Sequence, residues 1–233
     1  MDVRMQAYGS VKDEQSLVSE FLYKVYIWMT GGLVLTGMIS WQVSNSPSLL
    51  QSLILNKNAF TGLIFAELGL VLILSFMANR VPAAVAGMMF VAYSALNGVT
   101  LSIIFLAYTM QSIALVFFMC AGMFAGMSIY GYLTKSDLTS MGSFMIMGLW
   151  GIIIASLANF FFKSPAMSYV ISFIGIFVFL GLTAYDTQKL KQIALADPTA
   201  NDSEKPAIYG ALILYLDFIN LFLSLLNIFG KRR

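Results

Sequence analysis

The chain is a succession of apolar stretches parted by short polar breaks, and this feature limits its folds most severely. The stretches fall at about 22–43, 61–78, 83–108, 111–133, 141–162, 166–186 and 207–229. Each approaches or exceeds the ~20 residues an α-helix needs to cross the hydrocarbon core of a bilayer. Hydrocarbon offers no partner to a backbone N–H or C=O, so only helices and closed barrels can span it. A barrel would read as short segments of alternating hydrophobicity, which these continuous runs are not. The expected fold class is therefore all-α, a polytopic membrane bundle of seven transmembrane helices. Composition agrees: 59% of residues are hydrophobic and 10% charged, against roughly half and a quarter in a soluble domain.

The breaks carry turn-forming residues. Ser44 to Pro47 closes the first span, Asn79-Arg80-Val81-Pro82 parts the second from the third, and Lys163-Ser164-Pro165 parts the fifth from the sixth. Only Thr109 to Gln111 separates the third from the fourth. The longest polar segment runs from about 187 to 206. Residues 1–21 read as a polar N-terminal tail and 22–233 as a single transmembrane domain. The first apolar run is too long, and too far from the start, for a cleaved signal peptide. Small residues recur in the spans, among them Gly31, Gly32, Gly37, Gly175 and Gly181, and Gly122 to Gly126 forms a GxxxG pattern. Packing within the bundle is the preferred reading of that pattern, ahead of a dimer interface.

Orientation follows from lysine and arginine in the short loops. With the N-terminus cytoplasmic, the inner side holds Arg4, Lys12, Lys24, Arg80, Lys135, Lys189, Lys191 and Lys205, and the outer side Lys57, Lys163, Lys231, Arg232 and Arg233. The terminal Lys-Arg-Arg opposes this tally. A last segment that re-entered without crossing would remove the conflict, but its length argues for crossing.

Several chemistries are excluded. There is no histidine, and Cys120 is the only cysteine, so Cys/His zinc sites, haem attachment, disulfides and Cys-His catalysis are ruled out. No cofactor box is visible. A net charge of +2 without a basic stripe gives no reason to expect a nucleic-acid partner; the lipid bilayer is the expected surrounding.

Charges within spans are the informative residues, each costing at least ~2.5–3.5 kcal/mol near a helix centre. Three carboxylates qualify: Glu67 in the second span, Asp186 at the end of the sixth and Asp217 in the seventh. Asn220, Ser224 and Asn227 follow Asp217 on one helical face. Lipid would reject such a face, so it should look into protein or a cavity and the last helix should be central. Asp186 can also be read as a solvated boundary residue beside Lys189, and Glu67 as a protonated side chain bonded to a neighbouring helix.

Two long motifs make the chain recognisable. Ala184-Tyr185-Asp186-Thr187-Gln188-Lys189-Leu190 and Ala211 to Gly230, with Tyr215-Leu216-Asp217-Phe218-Ile219-Asn220 inside the second, closely resemble the Bax inhibitor/Lifeguard family, also called transmembrane Bax inhibitor motif proteins. Tyr93 to Ser102 in the third span resembles it too, and the likeness is nearest to the bacterial inner-membrane branch. The resemblance implies seven helices with the last one surrounded by the others. It further implies a pH-sensitive calcium leak gated by a pair of aspartates, whose motif positions are held by Asp186 and Asp217. Ca²⁺ and H⁺ would be its permeating or gating ions, with weak Ca²⁺ binding at the pair. An arginine near the end of the second helix contacts the pair in a bacterial relative; that position falls on Ala78 here, with Arg80 two residues on.

The chemistry is coherent by itself. Two carboxylates within hydrogen-bonding reach cannot both ionise cheaply, so they share a proton that holds two helices together. Its loss adds repulsion and leaves the hard oxygen ligands that Ca²⁺ prefers. An aspartyl-protease reading fails at Leu214-Tyr215-Leu216-Asp217, where Gly-x-Gly-Asp would be needed, and no enzyme is expected. Two alternatives stay open: a regulator acting through other membrane proteins, for which the resemblance implies a membrane-anchored ATP-dependent protease as one partner, and a proton-coupled transporter.

Overall fold

The computed structural model describes residues 3–55, 57–77, 81–196 and 204–233. They form α1 (Val3–Ser44), α2 (Pro47–Leu55), α3 (Lys57–Met77), α4 (Ala83–Leu101), α5 (Ile104–Ala107), α6 (Met110–Leu133), α7 (Thr139–Phe162), α8 (Pro165–Ala196) and α9 (Glu204–Phe229). The fold is an all-α polytopic helical bundle. Among the described residues six helical stretches are long and apolar enough to cross a membrane: Glu14–Ser44, Ala83–Ala107, Met110–Leu133, Thr139–Phe162, Pro165–Ala196 and Glu204–Phe229. The second expected span corresponds to a shorter apolar stretch, Phe60–Ser75.

Several boundaries differ from the expected ones. The segment from 187 onward continues α8 as helix to Ala196, and α9 already begins at Glu204. A helix need not stop where its apolar run stops, because past the hydrocarbon its polar side chains meet water. In that extension Leu190 and Ala194 are buried and Lys189 is exposed. The polar residues from Val3 likewise form the first turns of α1. The third span breaks at Ser102, which caps α4 before the short α5. Lys163 adopts the left-handed conformation (φ 51°) at the end of α7, and Ser164 N–H donates to Asn159 Oδ1 at 2.9 Å, closing the turn into α8.

Contacts cluster into two compact units, Met1–Ser102 with Lys189–Leu212, and Ile103–Gln188 with Ile213–Arg233. In the first unit α1 and α4 lie close because small residues let their backbones approach. A Cβ on Gly32 would stand 2.7 Å from the Phe90 ring, and one on Gly98 would stand 2.8 Å from the Thr36 carbonyl oxygen. Thr36 Oγ1 donates to Ser94 O at 2.8 Å. Residue numbers rise together along both helices, so the two run parallel. The chain between Ser44 and Ala83 must therefore return to its starting level, and α3 lies in that return.

In the second unit α6 packs Phe117 and Phe124 on Phe218 of α9, with ring centroids 5.5 and 5.4 Å apart. The GxxxG pair behaves differently from the expectation. A Cβ on Gly122 or Gly126 would meet nothing within 4 Å. The face carrying Cys120 and Phe124 is turned inward, and Gly122 and Gly126 lie about 200° round the helix from those two residues. The close approach on α6 is made by Gly131, where a Cβ would overlap the backbone carbonyl of Ala184. Beyond α9 the tail lies along the α5–α6 link: Thr109 N–H donates to Lys231 O at 3.1 Å and Arg233 N–H to Ala107 O at 3.0 Å.

α9 is the most enclosed of the candidate spans, with 61% of its most apolar window buried, against 44% for α8 and none for α7. Ile208, Leu212, Leu214, Tyr215, Leu221, Leu225 and Leu226 are among the largest fully buried side chains. The helix is unbroken over 26 residues, about 39 Å at 1.5 Å per residue, which leaves no turn for re-entry.

Topology reporters fused after Asn45 and after Val81 should read opposite compartments if α3 crosses the bilayer. The same compartment from both would leave the chain with six crossings.

Candidate functional site

Asp217 lies on the buried α9 and is only 5% exposed. The preceding apolar residues hold the helix in the interior, and the carboxyl group is carried in with them. Asp186 stands on α8, half-buried, three residues after the buried Thr183. Its carboxyl lies within side-chain hydrogen-bonding reach of Asp217. A hydrogen bond between two carboxyl groups requires a proton on one of them, because an ionised carboxylate only accepts. Asp217 Oδ2 is buried and finds no hydrogen-bond partner among the described residues. The structure thus brings Asp186 and Asp217 together and leaves one oxygen of the pair with unused capacity.

The glycines beside Asp186 set this geometry. Gly131 of α6 meets the Ala184 backbone, and a Cβ on Gly142 of α7 would overlap the Tyr185 ring. Two residues before Asp186 and at its immediate neighbour, α8 is therefore clasped by helices that come as close as backbones allow. The sequence reading had no role for Gln188. This buried amide accepts from Leu138 N–H and donates to Ser136 O, both at 2.8 Å, and so fastens the α6–α7 loop to α8. A nearly buried amide at a span boundary is the signal, since its donors and acceptor must be satisfied. In the same loop Asp137 Oδ1 accepts from Thr139 N–H at 2.9 Å and Thr139 Oγ1 at 2.6 Å, which holds this exposed carboxyl below its usual range.

The rest of the polar stripe on α9 splits in two. Asn220 donates to Leu216 O and Ser224 to Asn220 O, each at 2.8 Å, within their own helix. Both side chains, with Ser156 and Ser172, line a cleft of about 580 Å³ whose remaining wall is apolar. Asn227 Nδ2 reaches α8, donating to Ser172 Oγ at 2.8 Å and Ser168 Oγ at 3.1 Å, and Arg232 donates to its Oδ1 at 3.3 Å. The stripe thus faces protein and a cleft.

Glu67 is half-buried on α3 and is engaged by α4. Thr100 Oγ1 donates to Glu67 Oε1, and Asn97 adds a side-chain hydrogen bond. Arg80 and Ala78 lie outside the described residues. Cys120 is fully buried, its Sγ 3.7 Å from the Phe218 carbonyl oxygen. Among the described residues no group of three or more His, Cys, Asp or Glu gathers as a metal site.

The family described as "Inhibitor of apoptosis-promoting Bax1" matches residues 18–233. The chain is 49% identical over 232 residues to inner membrane protein YbhL of Escherichia coli, covering 99% of each. It is also similar to a protein of Borreliella burgdorferi, 44% identical over 95% of this chain and 96% of that one. A Deinococcus radiodurans protein is 42% identical over 92% of both.

Gly131→Ala should lower the thermal stability of the purified protein by about 1–3 kcal/mol, the usual range for overpacking. Gly122→Ala, where a methyl meets open space, should leave it unchanged or slightly raised. Equal melting temperatures for the two variants would mean that the contact at Ala184 does not hold α6 to α8.

Proposed function

The chain belongs to the Bax inhibitor-1 family of membrane proteins, and from that premise we propose that it is a pH-sensitive calcium leak whose gate is the Asp186–Asp217 pair. One observation carries the reading: two carboxyl groups meet in a mostly buried setting, and Asp217 Oδ2 stays without a partner among the described residues. At lower pH the shared proton ties α8 to α9. At higher pH its loss places two like charges together and drives the contact apart. The oxygens released are of the hard type that Ca²⁺ takes, yet two carboxylates fall short of its usual six to eight ligands. Such a pair favours transit over retention. Asn220 and Ser224 add neutral oxygens along the adjoining cleft. Because Glu67 is engaged by Thr100 and Asn97, we assign it to the α3–α4 contact.

Membership also suggests the location. The E. coli relative is an inner membrane protein by name, and we place this chain in the inner membrane as well, with its N-terminus cytoplasmic. No enzymatic role is assigned. A second reading, regulation through contact with other membrane proteins, has one observation in its favour. The polar residues at the start of α1 continue the helix past its apolar run, which would suit a handle for a membrane-anchored ATP-dependent protease.

Calcium flux into liposomes holding only the purified protein tests both readings. One proton coupled to opening gives a rise of up to about tenfold per pH unit. Asp217→Asn and Asp186→Asn should each flatten that rise to within about twofold, because the amide stays neutral throughout. If both variants keep the full pH dependence, the pair is not the gate. Flux no greater than in protein-free liposomes would favour the regulator.

A further inference from the structure

The first unit holds an apolar groove that the gate does not use. Its floor is made of residues too small to fill it, Ala83, Ala84, Gly87, Ala92 and Ala95 of α4, and its volume is about 520 Å³. A second cavity of about 350 Å³, over Gly31 and Gly32 of α1, shares Trp28 and Val91 in its wall. Along α4 the groove runs from Ala83 to Ala95, about 18 Å at 1.5 Å per residue. That is close to one leaflet of hydrocarbon, about 15 Å deep.

Its two ends are chemically different. One lies at the start of α4, directly after Pro82, and there Trp28 Nε1 donates to Glu204 Oε2 at 2.7 Å. Glu204 opens α9 and is exposed, and Ile208, one turn on, approaches Gly87 beside Trp28. Tryptophan with a charged residue at the end of an apolar run is the usual composition of the membrane–water interface. The other end is wholly apolar. Among the described residues of the wall, Glu204 alone carries a charge. A carboxylate has about four acceptor sites, and the indole N–H takes one.

We propose that this groove is a binding site for one phospholipid with a primary-ammonium headgroup of the ethanolamine type. One acyl chain lies along α4 from Ala84 toward Ala95. The ammonium sits at Glu204 and Trp28, donating to the carboxylate. An anionic headgroup without an amine gains no such bond and meets a like charge, so the site discriminates by headgroup. The length of the groove selects a lipid tail, and the charge at its mouth selects the amine.

The test uses the full-length protein with Trp28 as its single tryptophan. The variant Trp41→Phe/Trp150→Phe replaces two side chains that are 56% and 62% exposed. It is reconstituted in vesicles doped with lipid dibrominated on the acyl chain, either phosphatidylethanolamine or phosphatidylglycerol, and Trp28 quenching is measured. The ethanolamine lipid should win by about fivefold in relative affinity, the upper end for one exposed charge pair. Glu204→Gln should bring that ratio close to one. Ala92→Leu, which fills the groove from an exposed position, should reduce quenching by both lipids. Equal quenching by the two lipids, unchanged in Glu204→Gln, would mean that bulk lipid merely wets the surface. Absence of quenching by either lipid would mean that something other than lipid fills the groove. Each of these two results overturns the proposal.

Discussion

Asp217 is a carboxyl group on a helix that is otherwise built for hydrocarbon, and much of the second unit can be understood from where that group is allowed to be. Turned toward lipid it would cost several kcal/mol. Turned inward it needs a proton or a partner. The interior position is secured by the apolar residues around it, since Tyr215, Phe218 and Leu221 are all nearly or fully buried. The partner is another carboxyl, that of Asp186, and a hydrogen bond between the two needs a proton on one of them.

Close backbone approach is the second requirement. Two carboxyls meet only if their helices are held at a fixed distance, and side chains of ordinary size would hold them too far apart. Gly131 against Ala184 and Gly142 against Tyr185 remove those side chains beside Asp186. Gln188 then ties the α6–α7 loop to α8 through two hydrogen bonds. Lipid tails are as apolar as leucine, so packing and polar contacts must supply what the hydrophobic effect supplies in water. The same logic appears in the first unit, where Gly32, Gly98 and Thr36 join α1 to α4.

Where small residues are not covered by a neighbouring helix, the surface is hollow. Ala83, Ala84, Gly87 and Ala92 leave such a hollow beside Trp28 and Glu204. Gly122 and Gly126 lie on a surface that nothing in the described chain covers. Both arise from the same residue types that make the interior contacts. Composition therefore does not tell a contact from a groove.

Part of this architecture can be read along one dimension. Helix, membrane and approximate span ends follow from ~20-residue apolar runs and from Pro and Gly at their borders. The inward face of α9 was legible because Asp217, Asn220, Ser224 and Asn227 are polar residues at helical spacing, which lipid would exclude. The motifs around Asp186 and Asp217 were long enough to mark both aspartates together. Which face the other helices turn inward was decided only by the tertiary structure. Lipid and protein interior are nearly equal in polarity, so hydropathy cannot separate them, and Gly122-x-x-x-Gly126 was read as inward when Gly131 makes the contact. By its local composition alone Asp186 reads equally as a boundary residue beside Lys189, and it is the packing of α8 that brings it to Asp217. Glu67 acquired its partners Thr100 and Asn97, and Gln188 its loop, in the same way. Each of these depends on a neighbour far away in the chain, and only packing brings such neighbours together.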